Sequence, residues 1–329
     1  MSEQKSVINV VMGAMTFGYE GTEGARIHTP EAVKEILDVF QKHGHSEIDT
    51  ARVYTMGTSE ELIGKIDHKG RGLLLETKLY PWPGFTSHQP EDLRKFLDQS
   101  LKALNVDQLE MWYLHGPDRK VPYEVTLKTV NDLYKEGKFK RFGISNYMSW
   151  EVAEIVMLCR ANGWVQPTVY QGIYNAILRG VEPELFPCLR KFGLSFYAFN
   201  ALGGGFFTGK YGSISEEVPA GTRFDPTKLQ GRMYRVRYWN DAYFKAVEIA
   251  RTGCEKHGLT MAEVALRWIS NHSQLKREKG DAIIIGASSV GHLEQNLVDL
   301  EKGPLPEDML KVLDEAWAIV KPHASNYWH

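Results

Sequence analysis

The chain has 329 residues, 43% of them hydrophobic and 24% charged, with a formal net charge of -2. A balance this even offers no basic face to nucleic acid or to an acidic membrane surface, so no nucleic acid is expected as a partner. No window approaches the ~18 unbroken apolar residues of a membrane span, so no membrane partner is expected either. Cys159, Cys188 and Cys254 are widely spaced and form no metal or redox pattern. Residues 1–6 are polar and lack an apolar leader. These features predict a cytoplasmic protein with no bound metal.

Short apolar runs alternate with helical patterns along the chain. A run at 10–15 precedes a helical pattern from Pro30 to Phe40, which Thr29 is placed to cap and Pro30 to open. Runs at 47–49 and 73–78 follow. Residues 90–104 then set Leu93, Phe96, Leu97, Leu101 and Leu104 along one stripe. Runs at 109–115 and 139–145 lead to a helical pattern at 150–161, and a run at 168–171 leads to one at 182–191. After the run at 194–199 comes a gap of about eighty residues before the last run, 282–288. The gap begins with Gly203-Gly204-Gly205, continues through a polar stretch at 212–231, and turns helical at 243–256 and 261–270. Connections this long are usually functional or disordered. The tail, 322–329, carries Tyr327 and Trp328 and is expected to pack. Most runs are continuous rather than alternating, as strands buried on both faces of a parallel sheet are. Strand–helix alternation throughout predicts a single domain, 1–329, built as a (β/α)₈ barrel.

Function in such a barrel gathers at the carboxyl ends of the strands. Asp49 ends the second run, Lys78 the third and His115 the fourth; Ser145-Asn146 ends the fifth and Gln171 the sixth. Each has an ordinary structural role open to it: Asp49 as a helix cap, Lys78 as a solvated strand end, His115 as a core histidine. Their joint placement argues for one mouth. Tyr54 lies five residues past Asp49. A tyrosine is a useful acid when a neighbouring ammonium lowers its pKa, and Lys78, oriented by Asp49, is the candidate. His115 would then hydrogen-bond the carbonyl oxygen that Tyr54 protonates. With no metal pattern present, a bound cofactor must supply the electrons.

These residues resemble the aldo-keto reductase superfamily. The segments that carry the resemblance are Glu47-Ile-Asp49-Thr-Ala-x-Val-Tyr54, Thr77-Lys78, Trp112-Tyr-Leu-His115-Gly-Pro-Asp118 and Gly143-Ile-Ser-Asn146. Further segments are similar to the aflatoxin-aldehyde and succinic-semialdehyde reductase branch, aldo-keto reductase family 7. They include Ser149-Trp-Glu-Val-Ala-Glu154, Pro167-Thr-Val-Tyr-Gln-Gly172 and Thr208-Gly-Lys-Tyr211. The resemblance implies an NADPH-dependent TIM-barrel reductase of small-molecule aldehydes and some ketones, with a role in detoxification and the option of a homodimer. It implies a catalytic tetrad of Asp49, Tyr54, Lys78 and His115. Ser145, Asn146 and Gln171 would hold the nicotinamide carboxamide, with Asp49 beside it and Phe199 stacked on the ring. Asn200, Leu202, Gly204 and Lys210 would line a loop over the pyrophosphate, with Arg223 adding a contact. Ser288 and His292, with Ser289 between them, would meet the adenosine 2′-phosphate, and Gln295 and Asn296 the adenine. Tyr234 and Arg237, with His115, would meet the substrate. Two residues depart from the branch: Ala201 replaces a proline, and His329 stands where relatives carry an arginine that helps bind acidic substrates.

Two other readings compete. Tyr134 and Lys138 have the Tyr-x-x-x-Lys spacing of short-chain dehydrogenases, but no glycine-rich dinucleotide turn accompanies them. A redox-sensing subunit like the potassium-channel β subunits would keep the barrel, NADPH and the tetrad with little turnover.

Overall fold

The computed structural model describes residues 5–329; residues 1–4, part of the polar amino-terminal stretch, lie outside them. The eight strands are β1 Asn9–Gly13, β2 Glu47–Asp49, β3 Leu74–Leu79, β4 Leu109–Leu114, β5 Phe139–Ser145, β6 Pro167–Ile173, β7 Ser195–Phe199 and β8 Ala282–Ile285. Each pairs in parallel with its neighbours, and β8 returns to β1, closing the barrel. Among the described residues the α-helices are α1 Pro30–Lys42, α2 Thr58–Ile63, α3 Pro90–Leu104, α4 Tyr123–Lys135, α5 Ser149–Asn162, α6 Leu185–Phe192, α7 Leu229–Tyr238, α8 Asp241–His257, α9 Met261–Asn271, α10 Val290–Leu300 and α11 Glu307–Val320. None is long and apolar enough to cross a membrane.

The expected signals act where they were placed. Thr29 caps α1 by accepting from the Ala32 amide at 3.2 Å, and Pro30 takes the first helical position. Leu93, Leu97, Leu101 and Leu104 of α3 are buried in one stripe. The last strand is shorter than expected and stops at Ile285, because Gly286 and the residues after it turn toward the cap of α10. The seventh gap holds a glycine-rich 3₁₀ turn, Gly203–Thr208, and the unexpected helix α7. Aromatic contacts hold this segment down: Phe206 lies 5.8 Å from Tyr238 and 5.1 Å from Phe244, and Phe224 lies 5.4 Å from Trp239. The tail packs as expected, with the Tyr327 hydroxyl 2.8 Å from Glu184 and 3.1 Å from the Ser149 amide.

Strand alternation sorts side chains into those facing the barrel axis and those facing the helices. Val11, Met111, Tyr113, Val169, Tyr197, Ala282 and Ile284 form the inner cluster, separate from the larger core under the helices. Tyr113 can occupy the axis only because Gly143 faces it. A Cβ there would overlap the tyrosine ring.

Candidate active site

The polar strand ends converge at one mouth. Lys78 is fully enclosed, and its ammonium donates to both oxygens of Asp49 at 2.6 Å and to the Thr50 carbonyl at 2.7 Å. The surface role for Lys78 and the capping role for Asp49 therefore do not apply. Burial lowers the Lys78 pKa, and Asp49 opposes that shift. The Lys78 ammonium lies 4.9 Å from the centre of the Tyr54 ring, and the His115 ring meets Tyr54 edge-on at 5.8 Å.

Tyr54 opens a turn in which Thr55 (φ 45°) and Met56 (φ 58°) are both left-handed, followed by Gly57 at φ 90°. A β-branched residue in that region is strained. The Thr55 hydroxyl anchors it by donating to the Phe17 carbonyl at 2.8 Å. The strained turn directly follows Tyr54, whose ring lies by Lys78, and only Gly57 hinted at it in the sequence.

The Tyr54 pKa moves up rather than down. Burial holds the phenol protonated well above its ordinary range, with Asp49 and Tyr234 adding to the shift and Arg223 opposing it. Asp49, paired with Lys78 at 2.6 Å, opposes the field that the ammonium projects at the phenol. The His115 pKa is pushed well down by burial, Lys78 and His329, so its ring is neutral near pH 7.

Around this centre the remaining residues have defined partners. The Gln171 amide donates to Asp49 at 2.8 Å, and the Asn146 amide to the His115 carbonyl at 2.8 Å and to the Ser145 hydroxyl at 3.1 Å. Phe199 ends β7. Asn200 follows in a left-handed conformation, with its amide nitrogen buried and the Tyr238 hydroxyl in reach. The Tyr234 hydroxyl bridges the Asn200 side-chain oxygen and the Arg223 guanidinium, each at 3.1 Å. Leu202 leads into the 3₁₀ turn, and Lys210 is exposed just after it. Gly204, at φ 68°, admits no side chain, because a Cβ would run into the Tyr234 ring.

At the far side, Ser289 caps α10 by accepting from the His292 amide at 3.2 Å. The exposed Ser288 hydroxyl and His292 ring lie 2.9 Å apart. Gln295 bonds Asp299 at 3.0 Å, and Asn296 is buried beside it. Arg237 has no ion pair with Asp241 or any other acid among the described residues, and it acts on His329 electrostatically. Tyr134 and Lys138, by contrast, lie at the amino end of the barrel near the start of β5, where Lys138 pairs with Asp98 at 2.9 Å.

Of two further neighbours of the mouth, Tyr80 was not anticipated and His329 was anticipated only through the resemblance. Tyr80, two residues past Lys78, meets His115 edge-on at 5.6 Å and lies 5.7 Å from His329. The His329 amide donates to the Asn146 carbonyl at 3.3 Å, and Arg119 donates to the His329 oxygen at 3.1 Å. Period-two alternation from Lys78 would have pointed to Tyr80. Nothing local in the sequence could bring in His329.

Known proteins agree with this architecture. The sequence profile of the Aldo/keto reductase family matches residues 9–318. The chain is 50% identical to an aldo-keto reductase of Pseudocercospora fijiensis, covering 89% of this chain and all of that protein. It is 43% identical to human aldo-keto reductase family 7 member A3, over 97% of this chain and 96% of the relative. It is also 43% identical to human aflatoxin B1 aldehyde reductase member 2, over 93% and 87%. The glycerol dehydrogenase structure from Gluconobacter oxydans superposes with a TM-score of 0.72 at 23% identity, covering 96% of this chain and 92% of its own, a likeness of fold.

Proposed function

Because the chain belongs to the aldo/keto reductase family, we propose that it reduces aldehydes to alcohols with NADPH, using Tyr54 as the proton donor. The observation that carries this reading is the enclosed Lys78–Asp49 pair at 2.6 Å beneath a protonated Tyr54, with a neutral His115 against its ring.

Several features suit a dinucleotide. Residues 203–205 all adopt positive φ, which lets the turn come close to a ligand, and Gly204 keeps the cradle free of a side chain. The buried Asn200 amide is a donor at the start of this loop, with the Tyr238 hydroxyl in reach. Ser145, Asn146 and Gln171 would hold the nicotinamide end, with Phe199 against the ring. Asn200, Leu202, Gly204, Lys210 and Arg223 would take the phosphates. Ser288, His292, Gln295 and Asn296 would take the adenosine end. When bound, the nicotinamide supplies a hydride to the carbonyl carbon.

The chain's own residues manage the proton. Neutral His115 donates a hydrogen bond to the carbonyl oxygen and aligns it with the Tyr54 hydroxyl. As negative charge builds on that oxygen, Tyr54 releases its proton to it. An alkoxide is a stronger base than a phenolate, so even a phenol with a raised pKa donates downhill. Lys78, backed by Asp49, faces the phenolate that remains. Arg237, without an acidic partner, is placed to receive a carboxylate at the far end of the substrate.

The reading is tested by following NADPH oxidation with a panel of charged and neutral aldehydes. Turnover of several aldehydes, with NADPH preferred over NADH by at least about tenfold, is expected. Such a preference requires about 1.4 kcal/mol, within reach of a single charged hydrogen bond. Tight cofactor binding with no aldehyde turned over would favour the redox-sensing reading instead.

A further inference from the structure

Below the Lys78–Asp49 pair, the barrel holds two more carboxyl groups that this chemistry does not use. Alternation turns Glu47 and Asp49 inward along β2, and Glu76 and Lys78 inward along β3. The β2–β3 register sets Asp49 opposite Glu76. Glu76 is completely enclosed. Its Oε2 accepts from the Tyr113 hydroxyl at 3.0 Å, while its Oε1 is buried with no donor among the described residues. The group within hydrogen-bonding reach of Glu76 is the Glu47 carboxyl. Glu47 in turn accepts from the Tyr197 hydroxyl at 3.1 Å and lies 3.7 Å from Arg141.

Two carboxyl groups can share a hydrogen bond only if one of them carries a proton. The enclosed group, whose neighbouring cations Lys78 and Arg141 are engaged by Asp49 and Glu47, is the one that keeps it. Burial pushes the Glu76 carboxyl well above the usual carboxylate range, with Glu47 and Asp49 adding to the shift and the Tyr113 bond opposing it. The groups facing Glu76 are Glu47 and Asp49 from β2, Lys78 on its own strand, Tyr113 from β4, Arg141 from β5 and Tyr197 from β7.

We infer that Glu76 is a positioning residue for the reductase site, a neutral acid that shares its proton with Glu47 and so leaves Asp49 as the one ionised carboxylate in contact with Lys78. With Glu76 neutral, the lysine–aspartate pair beneath Tyr54 carries no net charge. An ionised Glu76 would add a negative charge there, disfavour the Tyr54 phenolate and slow proton donation. The kinetic consequence rests on the proposed function; the shared proton does not.

Two measurements on the NADP-loaded enzyme test this. In infrared spectra at neutral pH, the C=O stretch of a protonated carboxyl is expected in the unmodified enzyme and is lost in Glu76→Gln. It is also lost in Glu47→Gln, whose amide donates to Glu76 and releases its proton. In steady-state assays, Glu47→Gln lowers kcat about tenfold, the effect of roughly one pKa unit at Tyr54. Adding Glu76→Gln to it restores the rate. Glu76→Gln alone moves the alkaline limb of the kcat profile to higher pH. An unmodified enzyme whose spectrum lacks the band, or a Glu76→Gln variant slower than Glu47→Gln, overturns the inference. The infrared comparison of the unmodified enzyme with Glu47→Gln decides the point even if Glu76→Gln folds poorly. A band that behaves as expected in an enzyme that turns over no aldehyde upholds the shared proton and counts against the reductase reading alone.

Discussion

The Lys78 ammonium donates three hydrogen bonds, two to Asp49 and one to the Thr50 carbonyl, with no exposed surface. A buried ion pair contributes little net stability when intact, but removing one partner strands the other. Lys78→Met is therefore expected to destabilise the fold by ~3–5 kcal/mol in urea unfolding. Lys78→Met combined with Asp49→Asn should recover most of that loss. Additive losses would mean that the two residues are not energetically coupled. Arg237 is the opposite case, a guanidinium at the mouth with no carboxylate partner among the described residues. Arg237→Ala should raise KM for succinic semialdehyde by roughly ten- to hundredfold, the loss of about 1.5–3 kcal/mol from one charged hydrogen bond. KM for a neutral nitrobenzaldehyde should hold. Equal losses on both would assign Arg237 to shaping the loop.

At the level of elements, what could be read from the sequence follows from how each element is buried. Most of the parallel strands are enclosed on both faces and so appear as apolar runs, and Asp49, Lys78 and His115 stand out as polar residues at the ends of three of them. Helix α7 has no such pattern. Its sequence, Leu229-Gln-Gly-Arg-Met-Tyr-Arg-Val-Arg-Tyr238, buries only Gly231, Tyr234 and Tyr238, and aromatic contacts with the rest of the long segment hold it in place. Glu76 was passed over because it sits inside the run at 73–78, where only the pairing of β3 with β2 reveals it as an inward carboxyl. His329 reaches the mouth through the tail, from the far end of the chain. The loop after β7 yields its own prediction. Gly204→Ala forces a left-handed alanine against the Tyr234 ring, a strain of about 1–3 kcal/mol. NADPH affinity, read by fluorescence titration, should fall by more than the thermal stability of the free protein suggests. Unchanged affinity would place the cofactor elsewhere.

For the whole molecule, acid stability depends on histidines enclosed by the fold. His88 is fully buried with neither ring nitrogen partnered among the described residues, and burial lowers its pKa from 6.5 to about 4, against the pull of Asp118. His45 is lowered to about 4 by burial, with His43 and Arg277 adding to the shift. Below pH 6.5 the unfolded chain takes up protons that the folded chain refuses. The stability present above 6.5 is therefore lost as pH falls through 4, on the order of 3 kcal/mol for His88 at 1.36 kcal/mol per unit. The melting temperature should decline across that window, and His88→Leu should flatten the decline. A slope that His88→Leu leaves unaltered would assign the acid sensitivity to other groups.

The barrel brings Asp49, Tyr54, Lys78 and His115, from three successive strand ends, to a single mouth, and the central claim is that Tyr54 gives its proton to the reduced carbonyl there. Tyr54→Phe keeps the ring that packs against His115 and Lys78 and removes only the hydroxyl. The most direct test measures kcat for aldehyde reduction and the NADPH dissociation constant on the same Tyr54→Phe protein. A fall in kcat of ~10²–10⁴-fold with cofactor affinity intact is the predicted result. Retention of more than about a tenth of the rate would contradict it and require another acid.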